Sequence, residues 1–337
     1  MTPNEGTTAV NRYVRIALAT ALCVLLALSL AACSAPATPA GPAGTTSATI
    51  RIGTLPTEDS LPLWVAERDG LFTKAGLNVT ITLFQSAQER DAALTAGAID
   101  GEMGDLIAAA LLRDGGVPVK VTTVMLGATA KEGRFGIAVE PSSTVTSLKG
   151  LAGVPIGTST ATIQEYVLDK LMEAGGVAAA DVKVEPTPKV PVRFELLMSN
   201  KLAAAALPEP FLSLAALQGA KVLADDTRGA NISQTVMLFA QKYLDDAAGA
   251  AAVKKLLGAW DEAVGTINKD PNSFRALLVD KARLPDPLKD TYAVNTYPTA
   301  QLPTQDEVSS ILTWMKSKSL LKGDITYADL TWTAPAQ

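Results

Sequence analysis

Apolar positions fall into two periods that alternate along the chain. Residues 48–53 are rich in β-branched side chains and end at Gly53, which predicts a buried strand. A polar, proline-containing stretch at 54–62 predicts a loop. Residues 63–75 predict a helix, closed at Gly76 by a left-handed cap. Alternation at 77–84 predicts a second strand, 88–96 a helix closed by Gly97, and 99–102 a short strand. Residues 105–114 predict a further helix, and 117–126 a buried strand. Strands alternating with helices imply a parallel-rich sheet with helices on both faces.

The order then starts again. Residues 154–157 predict a strand, 158–162 a polar loop, 163–173 a helix and 182–185 a strand. A helix at 191–199 ends near Asn200, a strand follows at 202–207, and another helix follows Pro208, Glu209 and Pro210. Ile52, Gly53 and Thr54 correspond to Ile156, Gly157 and Thr158, and Gly97 corresponds to Asn200. Glycine and asparagine both tolerate the left-handed conformation. This is a duplication in element order with little shared sequence.

Two similar α/β lobes imply a cleft between them. Past Gln234 the pattern changes to one strand at 235–240 and then helices at 247–268, 271–284 and 304–321. The last opens with Thr304 and Glu307, the signature of a capping box. These helices are expected on the first lobe. The expected fold is therefore α/β with two lobes. Lobe 1 takes 48–135 plus 236–337, and lobe 2 takes 136–235. The chain crosses between them near 134–140 and 234–240, a two-strand hinge able to close on a ligand.

The N-terminus reads as an address. Arg12 and Arg15 precede an apolar run at 16–30, the length of a signal-peptide core and short for a membrane span. Leu30, Ala31, Ala32 and Cys33 form a lipobox, so 1–32 is expected to be a lipoprotein signal peptide and Cys33 the lipidated residue. Residues 33–47, rich in Ala, Pro, Gly and Thr, would form a flexible tether. An ordinary secretory signal is the alternative. The expected location is extracytoplasmic, at the bacterial cell membrane through the lipid alone.

Composition narrows the chemistry. The 337 residues carry 29 basic and 34 acidic side chains, a net charge of −5, which disfavours a nucleic-acid partner. There is no histidine, which removes His-based acid/base catalysis and His metal sites. The two cysteines, Cys23 and Cys33, precede the body, so it has neither a disulfide nor a thiol nucleophile. No cofactor, no metal and no catalytic residue are expected.

Several stretches resemble a known family. They are Ile52, Gly53 and Thr54 leading to Pro62, Leu63 and Trp64; Asp69, Gly70, Leu71 and Phe72; Ala75, Gly76 and Leu77; and Ala96 to Asp100. Gly115, Gly116 and Val117, then Ser147 to Gly153, and Pro208, Glu209 and Pro210 continue the series. In order and spacing the chain resembles the substrate-binding proteins of nitrate/sulfonate/taurine-type ABC importers, which share the thiamine pyrimidine synthase-like fold. The resemblance covers 48 to roughly 330. It implies a two-lobed type II periplasmic-binding-protein fold, a small solute in the cleft, an ABC permease and ATPase as partners, and a monomer. Asn200, Lys201, Leu202, Ala203 and Ala204 stand where the family usually has Gly-x-Val-Asp-Ala. Enzyme members would need a histidine and a cysteine cluster, both missing here.

Ligands of open α/β sheets sit beyond the carboxyl ends of the strands. This places Thr54, Glu58, Asp59 and Ser60 in one cleft loop, Ser86 and Gln88 in a second, and Gly104 and Asp105 in a third. Lobe 2 adds Thr158, Ser159, Thr160 and Ala161 at a helix N-terminus, and Glu209. Competing roles are open for several. Thr160 or Thr162 could cap a helix, Asp105 and Glu209 could do the same, Glu58 and Asp59 could be a solvated loop, and Arg90 could pair with an acid. Trp64 and Phe84 suit core packing, as do Trp260, Trp314 and Trp332. Acids outnumber bases among the cleft residues, which favours a neutral or amine-bearing solute over a free sulfonate. Two other functions share these features: a small-molecule lyase on the same fold, and a ligand-sensing lobe for a membrane receptor.

Overall fold

The computed structural model describes residues 47–132, 134–284 and 286–333. The signal segment 1–32, Cys33 and the tether through residue 46 lie outside the described residues. Residues 47–337 group as one compact unit. Among the described residues no helix is long and apolar enough to cross a membrane.

The first sheet contains β1 (Ala48–Thr54), β2 (Leu77–Leu83), β3 (Gly101–Asp105), β4 (Val119–Leu126) and β10 (Thr235–Ala240). Its order is β2-β1-β3-β10-β4, with β1 parallel to β2 and β3 and with β10 antiparallel to β3 and β4. The second contains β5 (Phe135–Val139), β6 (Pro155–Thr158), β7 (Lys183–Pro186), β8 (Ala204–Pro208) and β9 (Lys221–Asp225). Its order is β7-β6-β8-β5-β9, with β6 parallel to its neighbours and β5 antiparallel to β8 and β9. The sheets thus share one plan, with the strand received from the other half in fourth place.

Burial explains the patterns that announced these strands. Central β10 is buried throughout and carries an apolar run, and β3 is equally buried but holds Glu102 and Asp105, whereas edge strand β2 alternates because one face meets solvent. Two strands fall outside the expected set. The stretch at 134–140, expected as a crossing, is itself β5, and β9 is a partly exposed edge that carries Lys221 and Asp225.

The duplication is physical. Gly97 and Asn200 both adopt positive φ, 71° and 55°, ending matched helices. Gly53 lies opposite Glu102, and Gly157 opposite Ala205, in equivalent registers. A Cβ on Gly53 would come within 2.6 Å of Ile99, and one on Gly157 within 2.6 Å of Leu202. Each glycine lets one helix lie flat on its sheet.

Helix boundaries depart from expectation where the backbone demands it. The helix expected at 63–75 begins earlier, at Leu61, because Pro62 fits a first turn. It breaks after Arg68, and Gly70 at φ 69° opens the separate turn Leu71–Lys74. Residues 271–284 form a 3-10 turn, Pro271–Phe274, followed by the helix Arg275–Lys281. The capping box at Thr304 and Glu307 is present at the start of Gln305–Ser317.

Helix Ala247–Ile267 packs on Leu61–Arg68 and β1, burying Trp260 completely, with its indole N–H given to the Pro298 carbonyl at 3.1 Å. Helix Gln305–Ser317 packs on Leu106–Asp114 and also meets helix Ile163–Ala174. There Trp314 meets Tyr166 edge-to-face at 5.4 Å and donates to Asp169 at 2.9 Å. An aromatic pair of this kind adds about 0.5–1.5 kcal/mol beyond its burial.

Candidate functional site

The carboxyl ends of β1, β2 and β3 carry the first set of polar groups. After β1 the chain folds into the short turn Glu58–Ser60, whose three residues are all buried. Burial corrects the solvated-loop alternative for Glu58 and Asp59. Glu58 accepts from Tyr292 Oη at 2.7 Å and Asn295 Nδ2 at 3.1 Å. Burial pushes its carboxyl well above the ordinary range, and the nearby Glu209 and Asp59 push the same way. Asp59 accepts from the Thr235 hydroxyl at 2.7 Å. Asp105 ends β3 and caps helix Leu106–Asp114, accepting from Ala108 N at 2.8 Å.

Arg90 fills the space behind these loops. It is 2% exposed and meets Asp91 at 2.7 Å and Glu102 at 3.2 Å. Burial works against its charge, but the carboxylates of Glu102, Asp91 and Asp105 more than offset it and hold its pKa above the ordinary value. Pairing with acids, rather than with a ligand, is therefore its role here. Burial drives Glu102 upward against the pull of Arg90.

The second sheet repeats the arrangement. Loop 158–162 leads into helix Ile163–Ala174, where Thr162 is the N-cap and accepts from Gln164 N. Ala161 has φ 55°, and its N–H donates to Glu165 at 2.6 Å. Arg193 stands under β6 as Arg90 stands under β1, packed on Gly157 as Arg90 is on Gly53. It is fully buried, donates to the Thr187 carbonyl at 2.8 Å and to Gln164 Oε1, and leaves Nε without a partner. Burial pushes it down to about 9. Glu209 caps helix Phe211–Leu217 from its preceding turn, accepting from Ser213 N and Oγ, and pairs with Arg134 at 2.9 Å.

The two sets face each other. Gln88 Nε2 donates to Ser159 Oγ at 3.1 Å, and Ile163 N donates to Asp105 at 3.2 Å. Lys189 pairs with Glu89 at 2.8 Å in an exposed bridge worth little in water. Between the sets lies an inner cavity of about 40 Å³, whose walls include Thr57, Asp59, Arg90, Asp105 and Thr235 among polar residues and Leu55, Met103 and Phe135 among apolar ones, with Gly104 beside them. An outer cavity of about 460 Å³ is lined by Lys131, Arg134, Glu209, Tyr292 and Asn295. The turn Glu58–Ser60 links them, since Asp59 faces the inner one while Glu58 binds Tyr292 and Asn295 of the outer one.

Of the residues expected in the cleft, Asp59, Gly104 and Asp105 line the inner cavity and Glu209 the outer. Gln88 and Ser159 meet across the gap. Thr54, Ser60 and Thr158 are buried with hydroxyls that lack partners. Ser86 caps helix Ala87–Thr95, Ala161 supplies the backbone turn, and Thr160 is exposed. Trp64, Trp260 and Trp314 are core. The sequence reading did not single out Thr57, Thr235, Tyr292 or Asn295. Thr57 lay within the expected loop. The other three come from segments far along the chain, the Glu58–Tyr292 contact spanning 234 residues.

Three comparisons bear on this geometry. Among solved structures, the alkanesulfonate-binding protein SsuA from Xanthomonas axonopodis pv. citri, bound to MOPS, shares 19% identity at TM-score 0.72, over 85% of this chain and 98% of that one. The periplasmic nitrate-binding protein NrtA from Synechocystis PCC 6803 shares 14% at TM-score 0.66, over 82% and 83%. The desulfurization enzyme DSZB shares 15% at TM-score 0.62, over 84% and 96%, so the fold also carries catalysis elsewhere. At these identities the likeness is one of fold. No curated protein matches the chain in sequence. The family described as NMT1/THI5 like matches residues 57–273, which include every strand of both sheets except β1, and the chain belongs to that family.

Proposed function

We propose that this chain is the lipid-anchored, extracytoplasmic solute-binding subunit of an ABC importer. Lobe 1 (48–135 plus 236–337) and lobe 2 (136–235) close on a small nutrient. Cys33 carries the lipid, and a permease and ATPase receive the solute. The observation that carries this reading is the facing of two like sheets by the carboxyl ends of their strands, with Gln88–Ser159 and Asp105–Ile163 bonded across. Two crossings join the sheets, so the lobes can part and close about them. A solute bonded to both lobes then selects the closed state, and a permease that reads closure would read occupancy.

Thr54, Glu58, Asp59, Ser60, Ser86, Gln88, Gly104 and Asp105 from one side, and Thr158, Ser159, Thr160, Ala161 and Glu209 from the other, form the proposed binding region. The lyase alternative has less support, because the buried carboxylates of Glu102, Asp105 and Glu209 are engaged as caps and ion pairs. The membrane-sensor alternative shares the binding chemistry and differs in the partner.

A thermal-shift screen of residues 34–337 tests the reading. The panel holds thiamine pyrimidines, riboflavin, polyamines, aromatic acids, taurine, alkyl sulfonates and nitrate. A solute at 100 times its dissociation constant adds about 2.7 kcal/mol, a clear rise in midpoint. A raised midpoint without turnover is expected. Turnover of the bound solute would contradict the reading.

A further inference from the structure

We infer that the inner cavity is a subsite for a cationic nitrogen of the solute, a protonated amine or amidinium, with Asp59 as its counter-ion. The inference rests on the solute-binding reading above and names the chemical class of the solute.

Asp59 is 6% exposed and lines the cavity. One of its oxygens accepts from Thr235, and among the described residues no cation forms an ion pair with it. A buried carboxylate with a single hydroxyl donor has capacity for further N–H donors. Thr57 stands in the same wall, 5% exposed, with its hydroxyl lacking any partner. A buried hydroxyl of this kind is satisfied when a donor or acceptor enters the space it faces.

The groups that would hold an anion are already taken. Arg90 is engaged by Asp91 and Glu102. At the N-terminus of helix Ile163–Ala174, the N–H of Ile163 goes to Asp105, that of Gln164 to Thr162, and that of Ala161 to Glu165. The usual anion pocket of a helix start is thus filled by the chain's own oxygens. A sulfonate entering here would meet Asp59 and Asp105, and Arg90, the cation in the same wall, is already held by Asp91 and Glu102. Size points the same way. A cavity of about 40 Å³ has room for a few water-sized groups. An ammonium or amidinium fits that space, and the apolar walls from Leu55, Met103 and Phe135 suit its carbon stem.

The test is calorimetric titration of the full-length chain in mild detergent with butylamine, putrescine, agmatine, butanesulfonate and nitrate. At least one of the three cations is expected to bind, and the two anions are not. Asp59→Asn should weaken that cation at least ten-fold while a thermal melt shows the variant folded. Thr57→Val, which keeps the shape, should weaken it several-fold and serves if Asp59→Asn fails to fold. Binding of butanesulfonate or nitrate, unchanged or tightened by Asp59→Asn, would overturn the cationic subsite and leave the solute-binding reading standing. Failure of all three cations would also overturn it, and the wider thermal-shift screen then judges the solute-binding reading on its own.

Discussion

Arg90 and Arg193 occupy matching places in the two halves of the molecule, and they live in opposite electrostatic worlds. Each lies under the strand in second place of its sheet, β1 or β6, against the glycine that admits it. In the first half, Glu102 stands opposite Gly53 and Asp105 ends β3, so Arg90 is embedded among acids. In the second half the same register positions hold Ala205 and Pro208, and Arg193 has a carbonyl and an amide oxygen alone. Two halves with one backbone plan have thus diverged in charge. The acidic face of the first meets N–H groups of the second, and Asp105 bonded to Ile163 N is the contact this divergence makes possible. Charge complementarity of that kind helps closure and sets which solute can sit between.

The comparison breaks most sharply at the arginines themselves. Arg90→Met should cost about 3–5 kcal/mol in denaturant unfolding, because it strands buried Glu102 and Asp105 without their counter-charge. Arg193→Met should cost far less. It forfeits two hydrogen bonds, about 1–2 kcal/mol, and relieves a buried charge that nothing offsets. Equal losses in the two variants would erase the asymmetry.

Asp226 extends the contrast to the crossings. It accepts from Phe135 N at 2.8 Å, tying one crossing to the start of β5, and burial raises its carboxyl from 3.8 to about 7. The folded state therefore binds this proton more tightly than the unfolded one. Its contribution to stability is complete below pH 3.8 and is lost as pH rises through about 7. Asp226→Asn should remove that slope. The variant should match the parent near pH 4 and exceed it by about 2–4 kcal/mol at pH 8, measured by urea unfolding across pH. A wild-type profile unchanged by the substitution would contradict this placement of the charge.

Smaller effects sharpen the interlobe contacts. Asp105→Ala removes the cap of Leu106–Asp114 and the bond to Ile163 together, at a cost of about 1–2 kcal/mol. Asp105→Asn, able to cap, should recover most of it. Gln88→Ala removes one neutral bond to Ser159, about 0.5–1 kcal/mol, and should show mainly as faster amide exchange at 158–163.

What the sequence disclosed follows the range of each force. Gly97 and Asn200 marked matched helix ends because positive φ is a demand on a single residue. The Thr304 and Glu307 box was legible because its partners are three residues apart. The loops at strand ends followed from the α/β order alone, and Asp59, Gly104 and Asp105 of those loops line the inner cavity. Strand β9, half exposed and carrying charges at both ends, offered no period to read. Tyr292, Asn295 and Thr235 reach the cleft only through tertiary folding, and nothing local announces them. Nor could the sequence tell that Arg90 would be matched and Arg193 left bare, since Glu102 and Ala205 matter only through the register of β3 and β8.

Small-angle scattering of residues 34–337, titrated with the solute that raises the melting midpoint, tests closure most directly. The account predicts a smaller radius of gyration at saturation, with Asp105→Ala and Gln88→Ala together giving a more open ligand-free chain than the parent. A radius that stays constant with saturating solute, in a chain that binds it, would contradict capture by lobe closure.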